Sequence, residues 1–219
     1  MADDAREMLP QDEAIEIPDS GGALPDPNLL QYYSDMAGRC YWLDEEINSD
    51  SLWLVKAIVA INREDTGIPI HERQKIKIYI DSCGGDIDAM RCIIDAIELS
   101  DTPITTINMG RAYSAALEIF LAGHDRRCTP RARFMIHDGN IGIAPMPCAS
   151  HMIIAEQYQH DVAESREYII DHTDITEDML NERIGDLGQH IGKDWYFGAK
   201  EAYDLWVVDG IIESLSEVI

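Results

Sequence analysis

Two periods of hydrophobic and polar residues succeed one another along this chain, and the switches between them divide it into strand-then-helix units. Residues 40–43 (CYWL) read as a short strand. After them Leu52, Val55, Ile58 and Val59 recur at helical spacing, with Ser49, Asp50 and Ser51 available as caps. Residues 63–73 carry Gly67, Pro69 and mixed charge and read as a loop, whereas residues 75–80 (KIKIYI) alternate as a strand does. The Gly84-Gly85 turn then opens a second helical face of Ile87, Met90, Ile93, Ile94 and Ile97, with Asp86 and Asp88 at the end where the helix dipole favours negative charge. Thr102-Pro103 breaks the chain before a strand over 104–109. Gly110 is expected to turn it into a helix over 114–122, Gly123 to end that helix, and 133–136 to form the next strand. Repeated units of this kind predict an α/β fold, a parallel sheet covered by helices.

The second half is more helical. Residues 139–147 contain two glycines and two prolines and read as a loop or mobile edge. A helix over 149–172 follows, polar on one side, with Met152, Ile153, Val162, Tyr168, Ile169 and Ile170 as its apolar contributions. Such a length exceeds what a small domain covers, so the helix is expected to project and meet a partner subunit. A shorter helix starts near Asp174 or Thr176 and runs toward Leu187. The chain closes with Trp195-Tyr196-Phe197, a helix through Ala199 and Ala202, and a strand-like run from Trp206 to Ile212. Residues 1–28 are acidic, rich in Pro, Gly and Ala, and without apolar period, which predicts a flexible extension and leaves 29–219 as one domain.

Composition narrows the function. The formal net charge is -24, from 41 acidic and 17 basic residues, so the clustered cations that nucleic acid or an anionic membrane surface demands are missing. No apolar run approaches the roughly 20 residues of a membrane span. The N-terminus lacks the basic start and apolar core of a secretory signal, and the five cysteines are scattered without a C-x-x-C pair. Both features predict a cytoplasmic protein. The seven histidines form no H-E-x-x-H or tight Cys/His cluster, so neither a metal nor another cofactor is expected.

Candidate chemistry concentrates between Asp81 and His137. A serine becomes a nucleophile at neutral pH only with a base beside it, and histidine is the usual one. Ser114 follows a predicted strand and opens an apolar helix, while His137 ends another strand. Strand ends of a parallel sheet share one edge, which would bring the two together with the Gly84-Gly85 turn. The amides of Gly85 and Ala115 are then candidate oxyanion donors. Taken singly, a serine such as Ser114 is more often a helix N-cap than a nucleophile, and no G-x-S-x-G elbow is present.

Several short motifs in register resemble the proteolytic subunit of the Clp protease, of the ClpP/crotonase-like fold. Ser82-Cys83-Gly84-Gly85 is similar to that family's Ser-Pro-Gly-Gly, Gly110-Arg111-Ala112-Tyr113-Ser114 to its Gly-x-Ala-x-Ser, and Met135-Ile136-His137 to its Met-Ile-His. Ala199-Lys200-Glu201-Ala202 and Val208-Asp209 resemble motifs near its C-terminus. The resemblance implies a serine endopeptidase with Ser114 as nucleophile, His137 as base, and the Gly85 and Ala115 amides as the oxyanion hole. It also implies that the long helix is a handle interlocking two stacked heptameric rings, that residues 139–147 line the channel for an extended polypeptide, and that an AAA+ unfoldase supplies ATP hydrolysis. This chain itself has no Gly-x-x-x-x-Gly-Lys-Ser/Thr motif. Cys83 replaces a proline of the pattern, Trp206 a glycine, and the segment between His172 and Trp195 is longer than usual. The third catalytic residue belongs in that segment. Asp186 is the expected one, with His190 and Asp194 as alternatives. A non-catalytic subunit of a mixed barrel, or a crotonase-like enzyme acting on an acyl-thioester, are the competing readings.

Overall fold

The alternating stretches become a largely parallel sheet. The computed structural model describes residues 26–139, 147–187 and 193–219. Within them the chain runs α1 (Pro27–Ala37), β1 (Cys40–Leu43), α2 (Trp53–Glu64), β2 (Ile76–Ser82), α3 (Ile87–Glu98), β3 (Ile104–Tyr113) and α4 (Ala115–Leu121). It continues with β4 (Asp125–Cys128), β5 (Arg133–Ile136), α5 (Cys148–His172), α6 (Glu177–Ile184), β6 (Trp195–Gly198), α7 (Ala199–Asp204) and β7 (Gly210–Ile211). The strand order is β1-β2-β3-β4-β7, all parallel; β5 also pairs in parallel with β3, and β6 lies antiparallel on β5.

Helices cover the central strands, which is why β2 is buried almost continuously despite its alternating text. Ile78, Ile80, Ile93, Ile97, Ile104, Phe120 and Phe134 are fully buried at its centre. Each such side chain contributes about 2 kcal/mol relative to exposure. The predicted face of α3 is the one it buries, and Asp86 caps it by accepting from the Ala89 amide at 2.8 Å. In α5 only Val162, Arg166 and Ile169 are buried; Met152 and Ile153, a turn from its start, are exposed. The helix therefore extends beyond the body of the domain, as its length suggested. Among the described residues no helix is long and apolar enough to cross a membrane.

Several expectations are corrected. Helix α1 begins inside the segment assigned to the extension, started by Asp26 and Pro27, and buries none of its residues, so no apolar period announced it. The cap before α2 is Asn48, whose side chain accepts from the Asp50 amide at 2.7 Å at the start of a 3-10 turn over Ser49–Leu52. β4 was hidden by its charge: Arg126 is paired with Asp209, and Arg127 with Asp125. β3 does not turn at Gly110 but continues to Tyr113; a Cβ at Gly110 would lie 2.7 Å from Asp81 Oδ1, so the glycine serves close strand approach. Helix α6 stops at Ile184, short of Leu187, and only Gly210 and Ile211 of the terminal apolar run pair as strand.

Candidate active site

The register of three strands assembles the site. β3 is long enough to serve two partners: residues 105–108 pair with β4 and residues 111–113 with β5. Because Tyr113 lies beside Met135, the chain leaving β3 emerges next to the chain leaving β5, and the Ser114 amide donates to the Met135 carbonyl at 2.9 Å. Ser114 Oγ then stands 2.7 Å from His137 Nε2. Ser114 has φ 54° and ψ -129°, a left-handed conformation that costs a non-glycine residue about 1–3 kcal/mol. The strain turns the strand sharply into α4. The hydroxyl makes no N-cap bond to that helix, so the bland role for this serine is not the one it takes.

The second turn packs against the first. Ser82, at the end of β2, pairs with Ala112 after a bulge, which sets Cys83, Gly84 and Gly85 beside Ser114. A Cβ at Gly84, where φ is 92°, would lie 2.6 Å from the Tyr113 carbonyl and 2.9 Å from Ser114 Cβ, so only glycine fits. Ile47 accepts from the Asp86 amide at 2.8 Å and donates to the Gly84 carbonyl at 2.9 Å. Alternation along the chain leaves the intervening Gly85 N–H facing away from Ile47. The amide of Ala115, the first residue of α4, has no carbonyl within its own helix to reach. Gly85, Ser114, Ala115 and His137 all line one cavity of about 760 Å³.

On the other side of the imidazole stands Asp194, one of the alternatives, and not Asp186. β5 and β6 are antiparallel with Ile136 opposite Trp195, so one further step sets His137 opposite Asp194. Asp194 Oδ1 lies 3.5 Å from His137 Nδ1, and Asp194 Oδ2 accepts from the Tyr196 hydroxyl at 3.1 Å. Donating to that carboxylate raises the Tyr196 pKa. Asp186 is exposed, two residues beyond α6, and has no hydrogen bond or ion pair to His137 among the described residues. Helix α6 ends too early to carry it inward. His190 lies outside the described residues, as does most of the 139–147 loop. Continuing the antiparallel pairing of the two apolar runs 134–136 and 195–197 is the signal that points to Asp194.

Sequence reasoning missed two residues here. Arg166 of α5 is buried and holds Asp138, the neighbour of His137, with Nε and Nη2 at 2.9 and 2.8 Å. It also donates to Asn181 Oδ1 at 2.9 Å and to the Gly185 carbonyl at 2.7 Å, tying α5 and the end of α6 to the site. Glu118 of α4 is buried, accepts from Ser165 Oγ at 2.6 Å, and has its pKa pushed by burial up to about 7. A charged residue inside an otherwise apolar predicted helix was the available sign of Glu118; nothing in the spacing marked Arg166. The ligand atoms of His160, Asp161 and Glu164 lie close enough for a metal ion, yet Arg91 pairs with both carboxylates and supplies the positive charge itself.

Residues 42–215 match the family model described as Clp protease. The chain belongs to the Clp protease family. It is 26% identical to ATP-dependent Clp protease proteolytic subunit 2 of Rhodococcus jostii over 182 residues, covering 82% of this chain and 86% of that one. It is 27% identical to proteolytic subunit 1 of Chlamydia pneumoniae over 184 residues, covering 83% and 90%. The solved structure of a ClpP1 mutant from Listeria monocytogenes superposes with a TM-score of 0.68 at 23% identity, over 87% of this chain and 99% of that one, a likeness of fold.

Among the Clp family traits, the departures acquire physical content. Trp206 has φ 56°, the left-handed conformation that glycine adopts freely, and its side chain is exposed. Its backbone performs the glycine's turn at a steric cost. Cys83 sits exposed in the turn that elsewhere in the pattern carries proline.

Proposed function

We propose that this Clp protease family chain is a serine endopeptidase subunit, with Ser114 as nucleophile and His137 as general base. The observation that carries the reading is the 2.7 Å contact between Ser114 Oγ and His137 Nε2, made by a serine on a strained strand-to-helix turn that does not cap its helix. With the Nδ1 proton facing Asp194, Nε2 is the ring's acceptor and takes the hydroxyl proton as Oγ attacks the scissile carbonyl carbon. The oxygen of that carbonyl becomes an oxyanion, which the Gly85 and Ala115 amides face. Collapse breaks the C–N bond, and His137 returns its proton to the leaving amine. Water then attacks the acyl-enzyme as His137 accepts its proton; collapse breaks the C–Oγ bond, and His137 returns the proton to Ser114 Oγ as the carboxylic product leaves. Asp194 orients the ring and favours the imidazolium in each half-reaction, the part earlier given to Asp186.

The relatives are named as proteolytic subunits of ATP-dependent proteases, and this chain has no phosphate-cradling motif of its own. The proposal therefore includes a cytoplasmic barrel of stacked rings, joined through the exposed half of α5, that receives unfolded polypeptide from a partner ATPase. Peptide turnover without acyl-thioester turnover separates it from a crotonase-like activity.

A fluorophosphonate probe tests the chemistry. It should label the purified wild-type assembly at Ser114 and leave Ser114→Ala unlabelled. An assembled protein of the expected mass that neither labels nor cleaves peptide, with or without an unfoldase, would instead be the non-catalytic subunit of a mixed barrel. The 3.5 Å, half-exposed contact to Asp194 is the observation that favours this second reading.

A further inference from the structure

We infer that Glu118 is a specificity-determining residue, selecting a lysine or arginine side chain on the residue whose carbonyl acylates Ser114. The inference rests on the serine peptidase reading and names the substrate class of that same site. Glu118 lies in the first turn of α4, the helix that Ser114 leads into, four residues beyond the serine. It lines the cavity that Ser114, His137 and the two amides open into. The acyl group is bonded to Ser114 Oγ, so the side chain nearest this cavity is that of the acylating residue, while the leaving amine belongs beside His137.

The walls suit a long cationic side chain. Ile87, Met90, Ile94 and Val162 offer apolar surface to an aliphatic stem, and Glu118 offers a carboxylate to its charged end. Glu118 is only 7% exposed. Its Oε1 accepts from Ser165 Oγ at 2.6 Å, and the residue is part of the cavity wall. A carboxylate beside apolar wall residues is a strong acceptor for a cationic side chain that reaches it. Nine of the twenty-four lining residues are Asp or Glu, and the one arginine among them, Arg91, is already held by Asp161 and Glu164. An acidic substrate side chain is repelled from such a cavity, and an apolar one makes no charge-assisted bond to Glu118.

Protonation adds a signature. Burial raises the Glu118 pKa to about 7, with the Ser165 hydrogen bond and Arg91 opposing the shift. Tyr168 of α5 also interacts with it, and the other titratable groups of the cavity wall are Asp86, Asp88, Asp95 and Glu98 around α3, Tyr158, Asp161 and Glu164 from α5, Glu46 after β1, Cys83, and His137 and Asp138 after β5. Below pH 7 the carboxyl is neutral and offers little to a cation; above it the ionised form attracts one. Preference for lysine over its uncharged isostere norleucine should therefore rise with pH through about 7. The contribution of His137 to the rate is common to both substrates and cancels in their ratio.

The experiment uses the full-length wild-type assembly and peptide substrates differing only in the acylating residue: lysine, arginine, norleucine, leucine or glutamate. The expected kcat/KM for lysine or arginine exceeds that for norleucine at least tenfold at pH 8, and the advantage shrinks at pH 6. In Glu118→Gln, which preserves shape and the bond from Ser165, the ratio should fall toward one at both pH values. A wild-type enzyme that labels at Ser114 and prefers leucine or norleucine, or whose lysine-to-norleucine ratio does not change with pH, overturns the inference and leaves the peptidase reading standing. Failure of Ser114 to label overturns both. The wild-type panel decides the matter even if Glu118→Gln does not assemble.

Discussion

The two sides of the His137 ring are held by different means. On the Ser114 side a parallel strand pair, a backbone bond from Ser114 to Met135 and a glycine turn with no room for a methyl group fix a 2.7 Å contact. On the Asp194 side a four-residue antiparallel pairing brings a 40% exposed carboxylate to 3.5 Å. The first arrangement is part of the core and cannot shift without disturbing the sheet. The second is a rim contact that water screens. The Ser114–His137 contact is thus set by the sheet itself, and the Asp194 contact only by a short antiparallel pairing at its edge.

The harshest way to break this contrast is to remove its common member. His137→Ala should lower peptide turnover by about 10⁶-fold, and Ser114→Ala by as much, since these residues act as a unit. The two changes combined should cost no more than either alone. Turnover that survives at a tenth of wild type would mean that the 2.7 Å contact is not the catalytic one.

Next in size is Arg166→Met. It leaves the Asp138 carboxylate and the Gly185 carbonyl without their buried donor, and thermal or denaturant unfolding should show a loss of about 3 kcal/mol. Arg166 touches both sides, through Asp138 after His137 and through Gly185 on the path toward Asp194. If its effect on activity travels by the Asp194 side, the activity loss should vanish in an Asp194→Ala background, where that route is already cut. A loss that persists there would place its influence on His137 itself.

Asp194→Ala should lower turnover by about tenfold, much less than loss of the base, because the contact is long and solvent-exposed. Asp186→Ala should change it less than about twofold. An Asp194→Ala effect approaching that of His137→Ala would show that the carboxylate closes on the ring when substrate binds. Equal, small effects at both positions would describe a Ser-His pair working without either.

The sequence was most informative where local pattern and long-range pairing agree. The α3 face, the glycine turn and the Ser114–His137 neighbourhood were legible because each strand of a parallel sheet ends at the same edge. Asp186 was a poor guide because its position depends on where α6 stops, and Gly185, at φ 107°, ends that helix before Asp186 can turn inward. Asp194 needed the register of β5 against β6, a relation between runs some sixty residues apart that no local period records. Helix α1 and strand β4 escaped for the converse reason: one buries nothing and the other is built largely from paired charges. Arg166 and Glu118 are buried charges, and only their partners explain them.

Tyr196→Phe is the smallest change and the most selective. The Tyr196 ring packs edge-on against Tyr113, with centroids 5.5 Å apart, at the end of the strand that delivers Ser114, while its hydroxyl donates to Asp194. Phenylalanine keeps the ring contact and removes only the hydroxyl, so the Ser114 side is untouched and Asp194 loses the group that steadies its second oxygen. Turnover should fall by about twofold, in keeping with one exposed hydrogen bond, and fluorophosphonate labelling of Ser114 should proceed at a similarly reduced rate. Tyr196→Ala, which also removes the ring, should cost more because it loosens Tyr113 and with it the turn at Ser114. If the two substitutions are equal, the ring contributes nothing and the two sides of His137 are coupled only through the imidazole. If phenylalanine alone costs tenfold or more, the orientation of Asp194 matters as much as its presence, and the rim contact is as demanding as the one built into the core.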